Sequence, residues 1–222
     1  MDVAAFDFDG TLTDGGSVFG FLSALAGRPA VVVASAAMAP QLALAALAGG
    51  TRADRTKERL FQRVLAGTEV GRLAAVAARY GQDHVATHLR TDVRDRLDWH
   101  RRRGDRVVIV SASPEVYVRE AADHLGADGL IATRLEVAGD GTVTGRYDGA
   151  NCRGDEKLRR LRRWIEESGA TAGQLWCYGN SRGDLTMLRA ADVGVNVGRL
   201  GRMGPLRAYP GLHRTGPEGP TG

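Results

Sequence analysis

Residues 3–13 read Val-Ala-Ala-Phe-Asp-Phe-Asp-Gly-Thr-Leu-Thr. The run Val3–Phe8 is short, apolar and closed by the turn-forming pair Asp9-Gly10, which predicts a buried strand rather than a helix. Asp7 and Asp9 are two apart, so on an extended chain both carboxylates leave the same side. Two such anions beside Phe6 and Phe8 need a cation near them, because buried charges must be paired. Exposed turn aspartates would not explain Asp7, which lies within the apolar run.

A second run, Arg106-Val107-Val108-Ile109-Val110, is denser in β-branched residues. Gly104 precedes it and Ser111-Ala112-Ser113-Pro114 follows, so it reads as a central strand buried on both faces. Pro114 then opens a helix to about Leu125. Leu130–Ala132 is a further strand, and Leu135–Val137 and Thr142–Thr144 flank Gly139-Asp140-Gly141 as a hairpin. A helix is expected over 155–167, a strand over 175–178, a helix over 184–190 and a strand over 193–197. Strands alternating with helices predict an α/β fold with a Rossmann-like parallel sheet. The segment 17–100 reads as helical throughout and interrupts that alternation after the first strand. The expected division is therefore a core of 1–13 and 101–204, an inserted all-helical cap of 14–100, and a loop-like tail of 205–222. Val85, Leu89, Val93 and Leu97 recur every four residues, predicting one amphipathic helix through this span.

The chain has 222 residues, of which 25% are charged and 43% hydrophobic, a globular composition. The net charge of +4 comes with aspartates interleaved among Arg90–Arg106, so no basic stripe for nucleic acid is specified. Cys152 and Cys177 form neither a disulfide framework nor a zinc motif and read as reduced thiols. With no signal-like opening, a cytoplasmic location is expected. Residues 29–51 contain no charged side chain. They are rich in alanine and broken by Pro40, so a buried helical hairpin is expected, with peripheral membrane contact as the competing reading.

Polar residues gather at the carboxyl ends of four strands: Asp7 and Asp9, Ser111, the Lys157 segment, and Asn180–Asp184. Ligands of open α/β sheets bind there. Asp7-Phe8-Asp9-Gly10-Thr11-Leu12-Thr13 resembles the first motif of the haloacid dehalogenase superfamily, in its phosphatase branch. Ser111 resembles the second motif, Lys157 the third, and Gly179-Asn180-Ser181-Arg182-Gly183-Asp184 the fourth. A helical insertion after the first motif is similar to that of phosphoserine phosphatases.

The resemblance implies a Mg²⁺-dependent phosphomonoester hydrolase acting on a small molecule, and the uncharged segment 29–51 adds a lipid phosphomonoester as a second expected substrate. Asp7 would be the nucleophile and Asp9 the general acid and base. Ser111, Ala112, Gly10 and Lys157 would hold the phosphoryl group. Asp7, the Asp9 carbonyl, Asn180 and Asp184 are the implied metal donors. The same motifs would serve a phosphotransferase or a non-catalytic phosphate binder. Two positions depart from the pattern. Asn180 stands where an aspartate is usual, and Gly16 stands where phosphoserine phosphatases carry a glutamate for the substrate ammonium. Arg52, Arg55 and Arg59 share a helical spacing and read as a solvated face rather than a substrate clamp.

Overall fold

The computed structural model describes residues 1–48, 50–169 and 173–197; the expected tail 205–222 lies outside them. Five strands, β1 (Val3–Phe6), β3 (Arg106–Pro114), β4 (Gly129–Thr133), β7 (Leu175–Gly179) and β8 (Val193–Asn196), form a parallel sheet. Its order is β4-β3-β1-β7-β8, so the amino-terminal strand lies at the centre. Alternate residues of these strands enter two separate cores. Ala4, Phe6, Val107, Ile109, Trp176 and Tyr178 face one side, with residues of α6 (Thr91–Arg102) and α7 (Glu115–His124). Val3, Ala5, Val108, Val110 and Cys177 face the other, under α8 (Asp155–Glu167) and α9 (Leu185–Ala190). This two-sided alternation is what makes the strands uniformly apolar in sequence. The α/β reading holds, as does the parallel sheet.

Between β1 and β3 the chain forms α1 (Val18–Ala26), α2 (Arg28–Ala37), α3 (Ala39–Ala48), α4 (Gly50–Leu65), the two-residue β2 (Thr68–Glu69), α5 (Val70–His88) and α6. Three expectations are corrected here. First, the span is not helical throughout: β2 pairs with β6 (Thr142–Tyr147), which with β5 (Leu135–Val137) makes a three-stranded antiparallel sheet. The predicted hairpin thus reaches over to the helical block and packs on α4. Second, the Val85–Leu97 stripe is two helices. Asp14 N donates to His88 O at 2.8 Å and Arg90 N to Leu12 O at 2.9 Å. The outgoing and returning connections bond to each other and stop α5, while the four-residue hydrophobic spacing continues across the break. Third, residues 29–51 are not a buried hairpin. Val31, Met38 and Ala45 are buried, but Val32, Val33, Leu44 and Leu47 are exposed. A single layer of helices lying on α1 and α4 has only one face to bury.

His100 of α6 is fully buried, with Nδ1 2.8 Å from Asp105 Oδ2 and Nε2 2.8 Å from Tyr178 Oη. Burial pulls its pKa down to about 4 and Arg96 and Arg103 reinforce this, against the opposing pull of Asp105. The unfolded chain binds this proton near pH 6.5, so stability from the neutral ring is complete above that pH and lost as pH falls toward 4. Between these limits His100 is expected to contribute a loss of about 3 kcal/mol. Melting curves across pH 7 to about 4.5 should show a shallower acid slope in His100→Gln. An identical slope in both proteins would refute this.

Candidate active site

Sheet register sets the site. Phe6 lies opposite Ile109 on one side and Tyr178 on the other, so the residues that follow these three emerge at one edge. β3 runs further than its sequence suggests. Between Val110 and Pro114 it advances four residues while β4 advances two, a bulge that re-aims Ser111 and Ser113.

Asp7 immediately follows β1 and is buried. Its Oδ1 accepts from Lys157 Nζ at 2.6 Å, and its Oδ2 from Thr11 Oγ1 at 2.9 Å. Lys157 Nζ also donates to Asp184 Oδ1 at 2.6 Å. The other oxygen of Asp184 accepts from Ser181 N at 2.9 Å, Ser181 Oγ at 2.7 Å and Asn180 N at 3.3 Å. Asp184 thereby shapes the turn after β7. Burial pushes the Asp7 carboxyl up to about 7, and Asp184 adds to this while Lys157 opposes it. Burial works against the charge on Lys157, yet Asp184 and Asp7 outweigh it and hold the ammonium above its ordinary range. Burial likewise opposes the Asp184 anion, but Lys157 and the Ser181 donors keep its pKa low.

Asp9 is held apart from this group. Its Oδ1 accepts from Ser17 N at 2.7 Å and its Oδ2 from the Ser113 hydroxyl. Ser113 N in turn donates to Ser111 Oγ at 3.0 Å. All three polar groups of Ser17 are engaged, since its Oγ lies 2.7 Å from Tyr117 Oη and its carbonyl accepts from Tyr80 Oη at 2.6 Å. The first residue ahead of α1 is thus tied at once to Asp9, to α7 and to α5.

From the helical block, Lys57 of α4 donates to the Ala112 carbonyl at 2.7 Å. Burial lowers its pKa to about 8, with Asp9 and Asp54 opposing. Asp54, one turn earlier, accepts from Asn151 Nδ2 at 2.7 Å. Arg52, Arg55 and Arg59 on the same helix are exposed, as their solvated-face reading expected.

Asn180 Oδ1 is buried without a hydrogen-bond partner. Its Nδ2 would lie 1.9 Å from a Cβ at position 10, so Gly10, at φ +76°, is the residue type that lets the amide in. Among the described residues no three His, Cys, Asp or Glu side chains converge as a metal cluster. The oxygen donors at hand are instead one free amide oxygen and the carboxylates of Asp7 and Asp184. Hard oxygen donors with one orphaned among them fit Mg²⁺, which keeps part of its water shell.

A family model described as haloacid dehalogenase-like hydrolase matches residues 4–189. The chain belongs to the haloacid dehalogenase-like hydrolases. Protein CicA of Caulobacter vibrioides is 36% identical over 86% of this chain and 83% of its own length. A protein named phosphoserine phosphatase from Halobacterium salinarum is 32% identical over 89% of this chain and 86% of its own. A solved structure from Bordetella pertussis Tohama I, described as of unknown function, aligns with a TM-score of 0.74 at 24% identity, covering 88% of this chain and 89% of that one. The likeness to phosphoserine phosphatases places this hydrolase in their branch of the family.

Of the eight positions read from sequence, Asp7, Lys157, Asn180 and Asp184 share one hydrogen-bonded group, Asp9 and Ser111 a second through Ser113, Ala112 meets Lys57, and Gly10 packs against Asn180. Sequence reading missed Lys57, Ser113, Thr11 and Ser17. A signal for Lys57 was present: of 30 lysines and arginines, only Lys57 and Lys157 are lysines. Both lie at this site. A compact ammonium suits Lys157 in particular, where one nitrogen reaches two carboxylates.

Proposed function

We propose that this hydrolase cleaves a phosphomonoester through an aspartyl-phosphate on Asp7, with Mg²⁺ held by Asp7, the Asp9 carbonyl and Asn180. The observation that carries this reading is the separation of two carboxylates at one strand end. Asp7 is buried against Lys157, while Asp9 is held by Ser17 and Ser113. This separation supports Asp7 as the attacking group and Asp9 as the proton carrier.

In the first step an Asp7 oxygen bonds to phosphorus as the P–O bond to the alcohol breaks, and Asp9 gives its proton to the leaving oxygen. In the second, water attacks phosphorus, its proton passes to Asp9, and Asp7 is released. Thr11 and Lys157 fix the Asp7 carboxylate plane, and Lys157 offsets charge on the phosphoryl oxygens. Ser111, Ala112 and Gly10 border the phosphoryl position. Bound Mg²⁺ would supply charge neutralisation between carboxylate and phosphate. We assign residues 14–90 and the 135–147 hairpin to a cap over the site, with α6 belonging to the core because it packs on β3. A cytoplasmic setting suits the two buried free thiols, Cys152 and Cys177.

The phosphoserine named for the Halobacterium relative is not the substrate we propose here. Gly16 is exposed, and a Cβ added there meets nothing within 4 Å, so no pocket for an ammonium group is built around that position. The test is steady phosphate release from para-nitrophenyl phosphate that depends on Mg²⁺. Alcohol release without matching phosphate would make this a phosphotransferase, and phosphate binding without turnover would make it a binding protein.

Asn180 gives a sharper prediction. Asp184 already spends both oxygens on four donors, leaving the amide oxygen as the free donor. Asn180→Asp is expected to lower the Mg²⁺ concentration for half-maximal activity by about tenfold, and Asn180→Ala to raise it. An unmoved requirement in both, with Asp184→Asn alone shifting it, would place the ion on Asp184.

Lys57 is proposed to meet substrate phosphate or an adjoining anion. Lys57→Met should raise KM about 10- to 100-fold with a smaller effect on kcat. Its ammonium is charged below pH 8 and lost above it, so kcat/KM should fall as pH rises through about 8. Lys57→Arg should move that limb to higher pH; an unmoved limb would assign it to another group.

A further inference from the structure

Residues 29–51 carry no charge, whereas at the chain's 25% charged fraction about six would be expected over that length. Burial does not account for this. Leu47 is 82% exposed, Val33 68%, Leu44 53% and Val32 49%. The exposed charges around it are also basic, since the α4 carboxylates Asp54 and Glu58 are half-buried against Asn151 and the Tyr147 amide. No acidic residue occurs between Asp14 and Asp54, while Arg28, Arg52, Arg55, Arg59 and Arg63 are all exposed around the segment. At the junction of α2 and α3, Met38 and Gln41 join Arg59, Gln62 and Arg63 of α4 around an open cavity of about 440 Å³. Among the described residues, neither of those two arginines has an ion-pair partner.

We propose that the outer face of α2 and α3 docks on an anionic bilayer, with Val32, Val33, Leu44 and Leu47 entering the interface and a lipid phosphate seated between Arg59 and Arg63. An apolar face ringed by arginine suits anionic headgroups, which the apolar tips reinforce by burial. A second copy fits poorly. A two-fold contact would set this arginine ring against its own counterpart, while the nearest described carboxylates, Asp54 and Glu58, are already engaged by Asn151 and the Tyr147 amide. The mode is surface contact, since among the described residues no single helix is long and apolar enough to cross a membrane. α1, bent 120° from α2, commits Phe21, Leu22 and Leu25 to the core. The docking face and the catalytic cleft share α4, which sends Lys57 inward and Arg59 and Arg63 outward. Resting on the phosphatase reading, this points to phosphomonoesters with a lipid tail as the substrate class.

The test is co-flotation of the full chain with vesicles of phosphatidylcholine alone and of phosphatidylcholine with one third phosphatidylglycerol. Binding to the anionic vesicles is expected to be at least about tenfold stronger and to weaken with added salt. Val33→Asp with Leu47→Asp should abolish it, and Arg59→Glu with Arg63→Glu should reduce it about tenfold, both at unchanged melting temperature. Asp7→Asn should float like the parent chain, which separates docking from the fate of the proposed reaction. Three results would overturn the proposal: no binding, equal binding to neutral vesicles, or a solution dimer that Val33→Asp with Leu47→Asp dissociates.

Discussion

Asp7→Asn is expected to lower turnover by at least about 10⁴-fold, because the amide offers no nucleophilic oxygen for the covalent route. The same change should leave the protein folded and somewhat more stable when no metal is present. Asp7 is buried beside Asp184, and burial already pushes its carboxyl up to about 7. At pH 8 the native state therefore carries an ionised group that the unfolded chain would hold more readily. This raised folded pKa contributes stability below the unfolded value and loses it as pH rises through about 7. Removing the charge spares that loss, so the melting temperature of Asp7→Asn in chelator at pH 8 should equal or exceed that of the parent. Activity bought at the expense of stability is common at catalytic sites. Steady multiple turnover in repurified Asp7→Asn would sink the nucleophile assignment. Loss of the fold would sink the account of the burial cost.

Lys157→Met should destabilise the protein by about 3–5 kcal/mol, since one buried ammonium answers two buried carboxylates. For a chain of this size the melting temperature should fall by about 10 °C. The defect should shrink at lower pH, where protonation of Asp7 relieves the repulsion, and in the double change with Asp184→Asn. Lys157→Arg is not expected to rescue activity, because a planar guanidinium cannot repeat two 2.6 Å contacts made by one nitrogen. Melts in chelator at pH 8 and pH 6, with phosphate release measured alongside, check all three. A Lys157→Met protein that melts with the parent at pH 8 would mean that the pair of carboxylates does not need its cation.

The sheet and the polar positions of the candidate site were legible because their chemistry is local. A strand buried on both faces must be apolar at every position, so β1 and β3 announce themselves in a short window. Two aspartates two residues apart beside such a strand already demand a cation. The helix α8 showed its boundaries by the acidic start at Asp155 and Gly169 past its end.

What could not be read depended on which surfaces meet. The four-residue stripe from Val85 to Leu97 has the same period whether or not the helix breaks. Only the pairing of residues 12–14 with 88–90 breaks it, and that pairing joins positions more than seventy residues apart. Residues 29–51 lack charge whether buried or exposed, so composition could not tell a core hairpin from an outer layer. Their burial was decided by the number of partners, since α1 and α4 cover one face and nothing in the described chain covers the other. Lys57 is one of two lysines by sequence alone, yet its meeting with Ala112 depends on how the helical block is set against the sheet. The sequence by itself determined the strands and the charges at their ends, because burial and charge pairing act residue by residue. The tertiary structure alone decided which side chains from distant helices close over them, because that depends on packing between elements that no local pattern encodes.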